Sequence, residues 1–136
     1  MRRASKYPDT DTFTYHNANP KNRITGDCVY RAIAKALDID WKEVVLELAK
    51  LACETGQSPA SDKNFGLFLE RHGFTKCKQP KQPSGKKFTG AEFVRCHNET
   101  IVMNIGSHHV SCAVGGKIHD IWDCSHKCVG VYWIKL

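Results

Sequence analysis

One cysteine and two adjacent histidines are the residues of this chain best placed to do covalent chemistry. Cys28 stands in Gly26-Asp27-Cys28-Val29-Tyr30-Arg31-Ala32-Ile33-Ala34-Lys35-Ala36-Leu37, where glycine and an acid give way to small, straight-chain and apolar residues. That change of composition starts a helix with the cysteine at its N-terminus. Unpaired N–H groups and a partial positive charge gather there, which favours the thiolate over the thiol. The same N–H groups can hold a developing oxyanion. A thiol near its ordinary pKa is only slightly ionised at neutral pH and needs a base to take its proton. Ser107-His108-His109-Val110 supplies histidine for that work late in the chain.

A hairpin sets the histidine's partner. Val110-Ser111-Cys112-Ala113-Val114 and Lys117-Ile118-His119-Asp120-Ile121-Trp122 read as strands joined by the two-residue turn Gly115-Gly116. Pairing outward from the turn sets Val114 opposite Lys117, Ser111 opposite Asp120 and His109 opposite Trp122. Side chains alternate along a strand, so His109, Ser111, Asp120 and Trp122 share one face. His109 and Asp120 are diagonal neighbours there, close enough for a carboxylate to orient an imidazole. His108 falls on the other face with Asp123, and a one-residue slip would exchange the two couples, so His108 and Asp123 stand as the alternative pair.

A cysteine at a helix start, a histidine on a later strand, and an Asp followed two residues on by Trp resemble the papain-like cysteine peptidases. His108-His109-Val110-Ser111-Cys112-Ala113-Val114 is similar to the family's histidine strand, and Asp120-Ile121-Trp122 to its orienting residue and tryptophan. Gly-Asp-Cys, Arg-Ala and the Gly-Lys-Ile-His-Asp-Ile-Trp-Asp hairpin also resemble small phage and bacterial proteins of this type. The resemblance implies a minimal papain-like core in which Cys28 attacks the carbonyl of a protein or peptide substrate. His109 then serves as base and acid, and Asp120 orients it. Asn22 lies six positions before Cys28 and matches the spacing of the family's oxyanion-hole amide, usually Gln; a turn role between Pro20 and Gly26 is the other reading. The same triad also serves acyl transfer and deamidation. The chain departs from the family in its short length, in the missing signature around the cysteine and in the tight spacing from His109 to Asp120.

Asp27 is the expected N-cap of the cysteine helix, with its side chain on the helix amides. A carboxylate beside the thiol opposes thiolate formation, and Arg31 can hold it as an i,i+4 pair worth a few tenths of a kcal/mol. Cys124-Ser125-His126-Lys127-Cys128, with His119 and Cys112, has zinc-ligand types. Its Cys-x-His-x-Cys spacing matches no standard finger, so no metal or other cofactor is expected.

The elements that must position these residues follow from pattern and punctuation. Residues 1–24 read as an irregular N-terminal segment and 25–136 as one catalytic domain. Helices are expected from Cys28 to Leu37, after an Asp40 capping box as far as Gly56, from Ser61 or Asp62 to Gly73, and after a Thr89-Gly90-Ala91-Glu92 capping box. Strands follow over Thr100–Ile105, the hairpin, and Val129 to Ile134. Helices first and an antiparallel sheet second make the fold class α+β. With 136 residues the chain builds one core. Met1-Arg2-Arg3-Ala4-Ser5-Lys6 runs into polar sequence and no apolar run reaches a membrane span, so a cytoplasmic protein without a leader is expected. Seven scattered cysteines do not form a secreted disulfide framework. The net charge of +6 admits nucleic acid without requiring it. Much of the excess lies in Lys76 to Lys87, which lacks interleaved aromatics and reads as a solvated loop.

Overall fold

The apolar alternation of the C-terminal half builds most of a six-stranded sheet. A computed structural model describes residues 6–136. The strands are β1 (Phe13–Tyr15), β2 (Thr75–Cys77), β3 (Thr100–Ile105), β4 (His109–Val114), β5 (Lys117–Asp120) and β6 (Val129–Lys135), in the order β1-β5-β4-β3-β6-β2. The helices among the described residues are α1 (Cys28–Leu37), α2 (Trp41–Thr55), α3 (Asp62–Arg71) and α4 (Gly90–Arg95). The fold is α+β. No helix among the described residues is long and apolar enough to cross a membrane.

Both faces of the sheet are covered. Helices α1 to α3 pack with Val102, Val110, Cys112 and Trp133 on one face. Phe13, Phe93 and Val94 pack with Ile101, Met103, Ile105 and Ile118 on the other. This explains why β3 is an almost unbroken apolar run, since a strand buried on two sides has no polar face. Asn104, the polar residue in its interior, donates to Asp62 of α3 at 3.0 Å and ties the helical layer to the sheet. Asn64 is fully buried, yet its carboxamide bonds Thr55, Leu48 and Pro59 and locks α3 onto α2. A buried amide with every bond made is a specifying contact rather than a defect.

Helix ends follow the punctuation closely. Gly56 closes α2 with φ 74°, a left-handed value that costs glycine nothing. Ser61 caps α3, and Thr89 with Glu92 forms a complete capping box on α4. The Asp40 box does not form, because Asp40 makes no side-chain bond to the helix. Gly115 and Gly116 both take positive φ, 60° and 80°, as the tight hairpin requires.

Two stretches read as irregular are so only in part. Of residues 1–24, residues 1–5 lie outside the described residues, and Phe13–Tyr15 is β1, parallel to β5 with Tyr15 beside Asp120. Phe13 is fully buried, so this segment belongs to the domain rather than preceding it. A three-residue edge strand shows too little alternation to be read from sequence. The basic stretch likewise begins in β2, which pairs antiparallel with β6 at the other edge. The sheet is therefore neither wholly antiparallel nor wholly C-terminal.

Phe13→Ala should destabilise the protein by about 3–5 kcal/mol in urea unfolding, the usual loss for emptying a closed aromatic site. A segment merely lying against the domain would lose almost nothing.

Candidate active site

Helix α1 begins at Cys28 and lies mainly along β4, so the cysteine sits over the end of the strand that starts with His109. Its buried residues include Val29, Ala32, Ile33 and Ala34. These mostly small side chains let the helix backbone approach the sheet. Cys28 is half-buried and lines a cleft of about 450 Å³ with Gly26, Tyr30, Ala60, His108 and His109.

His109 Nε2 lies 2.7 Å from Asp120 Oδ2. An ionised carboxylate only accepts, so Nε2 carries the proton and Nδ1 is left for the Cys28 thiol. The hairpin has the register expected from its turn, with Val114 opposite Lys117, Ala113 opposite Ile118 and Cys112 opposite His119. Strand β5 ends at Asp120, so Trp122 lies past the ladder instead of opposite His109. Its ring still lies tilted against the imidazole, 5.1 Å between centroids, and shields that side.

Asp120 is a buried acceptor of several donors. Oδ2 takes the Ser111 hydroxyl at 2.6 Å and the Cys124 thiol at 3.8 Å besides His109; Oδ1 takes the Ile121 N–H at 2.7 Å. The backbone is pinned as well, since the His16 N–H donates to the Asp120 carbonyl at 2.9 Å. Burial alone would raise the Asp120 carboxyl. The hydrogen bond and charge of His109, with the Ser111 and Ile121 donors, outweigh it and hold the group below its usual range.

The same balance acts on the other two groups. Burial would lower His109, but bonds to Asp120, Cys124 and Cys28 and the Asp120 charge raise it to about 11. Burial raises the Cys28 thiol, and the His109 ring, the Val110 N–H and the charges of His109 and Arg31 bring it below its ordinary value. Thiolate forms above the lowered value and imidazolium persists up to the raised one. The ion pair therefore exists from the lowered thiol value up to about 11.

The remaining candidates fall elsewhere. His108 is exposed and lines the same cleft, just before β4 begins. Asp123 accepts the Ser125 N–H at 3.0 Å in a local turn. Asn22 is exposed at φ 56°, its carboxamide oxygen takes a bond from Asn17, and it does not line the cleft. These are the features of a turn residue. Cys124 is buried at Asp120, while His126 and Cys128 are exposed. Cys124 belongs with His109 and Asp120, whose ligand atoms lie within 4.8 Å of one another. These two already meet through their own hydrogen bond, so the group reads as a bonded network.

Asp27 differs most from expectation. It caps nothing with its side chain. Its carboxylate is buried and bonded to Arg31, to Asn19 Nδ2 at 3.0 Å and to Trp41 Nε1 at 2.9 Å. The pair with Arg31 is an interior one and not a solvated surface contact. The hairpin pairing had already set Ser111 opposite Asp120, but Cys124 on Asp120, and Asn19 and Trp41 on Asp27, were not foreseeable from spacing. The Asp27–Arg31 i,i+4 pair likewise had a sequence signal. Comparison with protein-family models, curated proteins and solved structures finds no match to this chain.

Iodoacetamide should alkylate Cys28 at neutral pH, with the rate falling only as the thiolate is protonated below the ordinary thiol range. Asp120→Asn should move that midpoint upward, because a neutral amide no longer supports the imidazolium. Asp123→Asn should leave it in place. A midpoint that follows Asp123 instead would reverse the assignment of the pair.

Proposed function

We propose that this chain is a thiol hydrolase of papain-like type that cleaves a peptide or isopeptide bond. The observation that carries the reading is the His109 Nε2–Asp120 bond at 2.7 Å, with Cys28 in the same cleft on the imidazole's other side. Such an arrangement has a nucleophile, a base and an orienting group in the order that acyl chemistry needs.

In this mechanism the Cys28 thiolate attacks the carbonyl carbon and the electron pair of the C=O bond moves onto oxygen. The Cys28 backbone N–H at the start of α1 is free of intrahelical bonding and is the donor for that oxyanion. As the tetrahedral intermediate collapses, the His109 imidazolium gives its Nδ1 proton to the departing nitrogen, and the C–N bond breaks to leave a thioester. Water then attacks the thioester carbonyl and gives a proton to His109. The C–S bond breaks, an acid product leaves, and the thiolate–imidazolium pair is restored. Throughout, Asp120 stays ionised and keeps the ring in one tautomer.

The full chain is incubated with peptide thioesters and amides, and the acyl adduct is located by mass spectrometry. An adduct on Cys28 is expected, absent in Cys28→Ala, with His109→Ala lowering turnover by about 1,000-fold or more. Equal, slow modification of all accessible cysteines would remove the nucleophile from the reading. Products carrying an added amine, or a deamidated side chain, would make the same site a transferase or deamidase. Salt-sensitive nucleic-acid binding through exposed Lys78, Lys81, Lys86 and Lys87, without any adduct, would make the chain a basic binding module.

Asn22→Ala adds a separate check. A side-chain oxyanion donor costs about 100- to 1,000-fold in kcat when removed. From its exposed turn position, Asn22→Ala should cost less than about tenfold by that measure.

A further inference from the structure

Arg31 lies one turn beyond Cys28 on α1, with its side chain only 7% exposed. A buried guanidinium must be matched by acceptors, and this one is divided between two carboxylates. Nη1 bonds Asp27 Oδ1 and the Thr25 carbonyl at 3.3 Å, while Nη2 stands 3.6 Å from Asp120 Oδ1. Each carboxylate is held from its other oxygen by different donors. Asn19 and Trp41 take Asp27 Oδ2; His109 and Ser111 take Asp120 Oδ2. The result is a buried row of alternating charge, Asp27, Arg31, Asp120, His109, that ends at the Cys28 thiolate.

Stability alone does not account for the arrangement. A well-packed apolar residue is commonly as stable as a buried ion pair, and the other buried residues of α1 are all apolar. Arg31 Nε, moreover, is buried without an acceptor, so the guanidinium is not placed to maximise its own bonds. What its position does achieve is contact with the acid beside the nucleophile and with the acid that orients the base.

We infer that Arg31 is a positioning residue of the thiol site, neutralising Asp27 next to Cys28 and holding Asp120 so that its Oδ2 meets His109. The inference rests on the reading of Cys28 as nucleophile. It also answers the objection that Asp27 raises, because the carboxylate nearest the thiol in sequence has its charge matched inside the fold. Besides its own members, the titratable groups facing this row are the buried Cys112 thiol on β4 and the Cys124 thiol beyond β5, both against Asp120. Both thiols are unchanged in the variants below, so the comparison isolates Arg31 and Asp27.

The test is the pH dependence of Cys28 alkylation by iodoacetamide in the full chain, read by mass spectrometry beside urea unfolding. Arg31→Met should raise the midpoint by about one pH unit, since a neighbouring cation is lost. Asp27→Asn should lower it, since an anion is lost. Arg31→Lys keeps the cation but not the fork, so it should keep the midpoint close to the original while turnover of a thioester substrate falls. Residues that only stabilise the fold would shift the urea midpoint and leave the alkylation profile still; that result, or shifts of the same sign in Arg31→Met and Asp27→Asn, overturns the inference. If Arg31→Met does not fold, Asp27→Asn and Arg31→Lys decide the matter, and an unmoved midpoint in Asp27→Asn with full turnover in Arg31→Lys rejects it. An ordinary thiol midpoint in the unaltered protein would remove the nucleophile reading itself. A low midpoint indifferent to both positions removes only the role of Arg31.

Discussion

The structure depends on a constraint of burial: two carboxylates and one guanidinium lie out of water at the seam between α1 and the sheet. Asp27, Arg31 and Asp120 are each less than a tenth exposed. Removing one partner of a buried ion pair typically costs about 3–5 kcal/mol, because the remaining charge is left in a poor solvent. The group therefore tolerates little misplacement of the elements that carry it. α1 must present Arg31 at the correct rotation, and β5 must end where Asp120 can reach it. The hairpin must hold its register so that His109 and Ser111 meet the far carboxylate oxygen.

Several parts of the chain that look unrelated to the site serve this demand. Strand β1 adds to the edge of β5 in parallel, and the backbone bond from His16 fixes the Asp120 carbonyl. Trp41, the first residue of α2, reaches back to Asp27 and so couples the packing of the second helix to the start of the first. Asn19 does the same from the loop before α1. Orientation of the thiol and imidazole thus draws on the N-terminal segment, on two helices and on the hairpin. A small domain can hold a polar site rigid in this way, since each donor is also a packing contact.

The proposed chemistry follows from how charge is distributed along the row. Cys28 and His109 alone would be a half-buried thiol beside a half-buried ring, and burial opposes charge on both. Asp120 reverses that for His109, and a protonated His109 then reverses it for Cys28. Asp120 in turn stays ionised because four donors meet it. In the proposed site the ionised state of Cys28 is in this sense assembled from outside inward, by Asp120 acting through His109.

Much of this was legible in the order of the residues. The small apolar run after Cys28, the capping residues Ser61 and Thr89, and the Gly115-Gly116 turn each impose local geometry through backbone preference, which acts over a few residues and needs no tertiary context. The same locality set the hairpin register and, with it, the side-by-side placement of His109 and Asp120. Three other features depended on contacts between distant segments. Phe13–Tyr15 is too short to show a period and is a strand only because the edge of β5 accepts it. Trp122 lies beyond the ladder, and Asp27 turns away from the helix amides it was expected to cap because Arg31, Trp41 and Asn19 converge on it in the interior. Backbone propensity and alternation thus determined the elements and the facing pair. The tertiary structure decided which charges are buried together, because the cost of burying a charge is set by every donor around it and not by its neighbours in sequence.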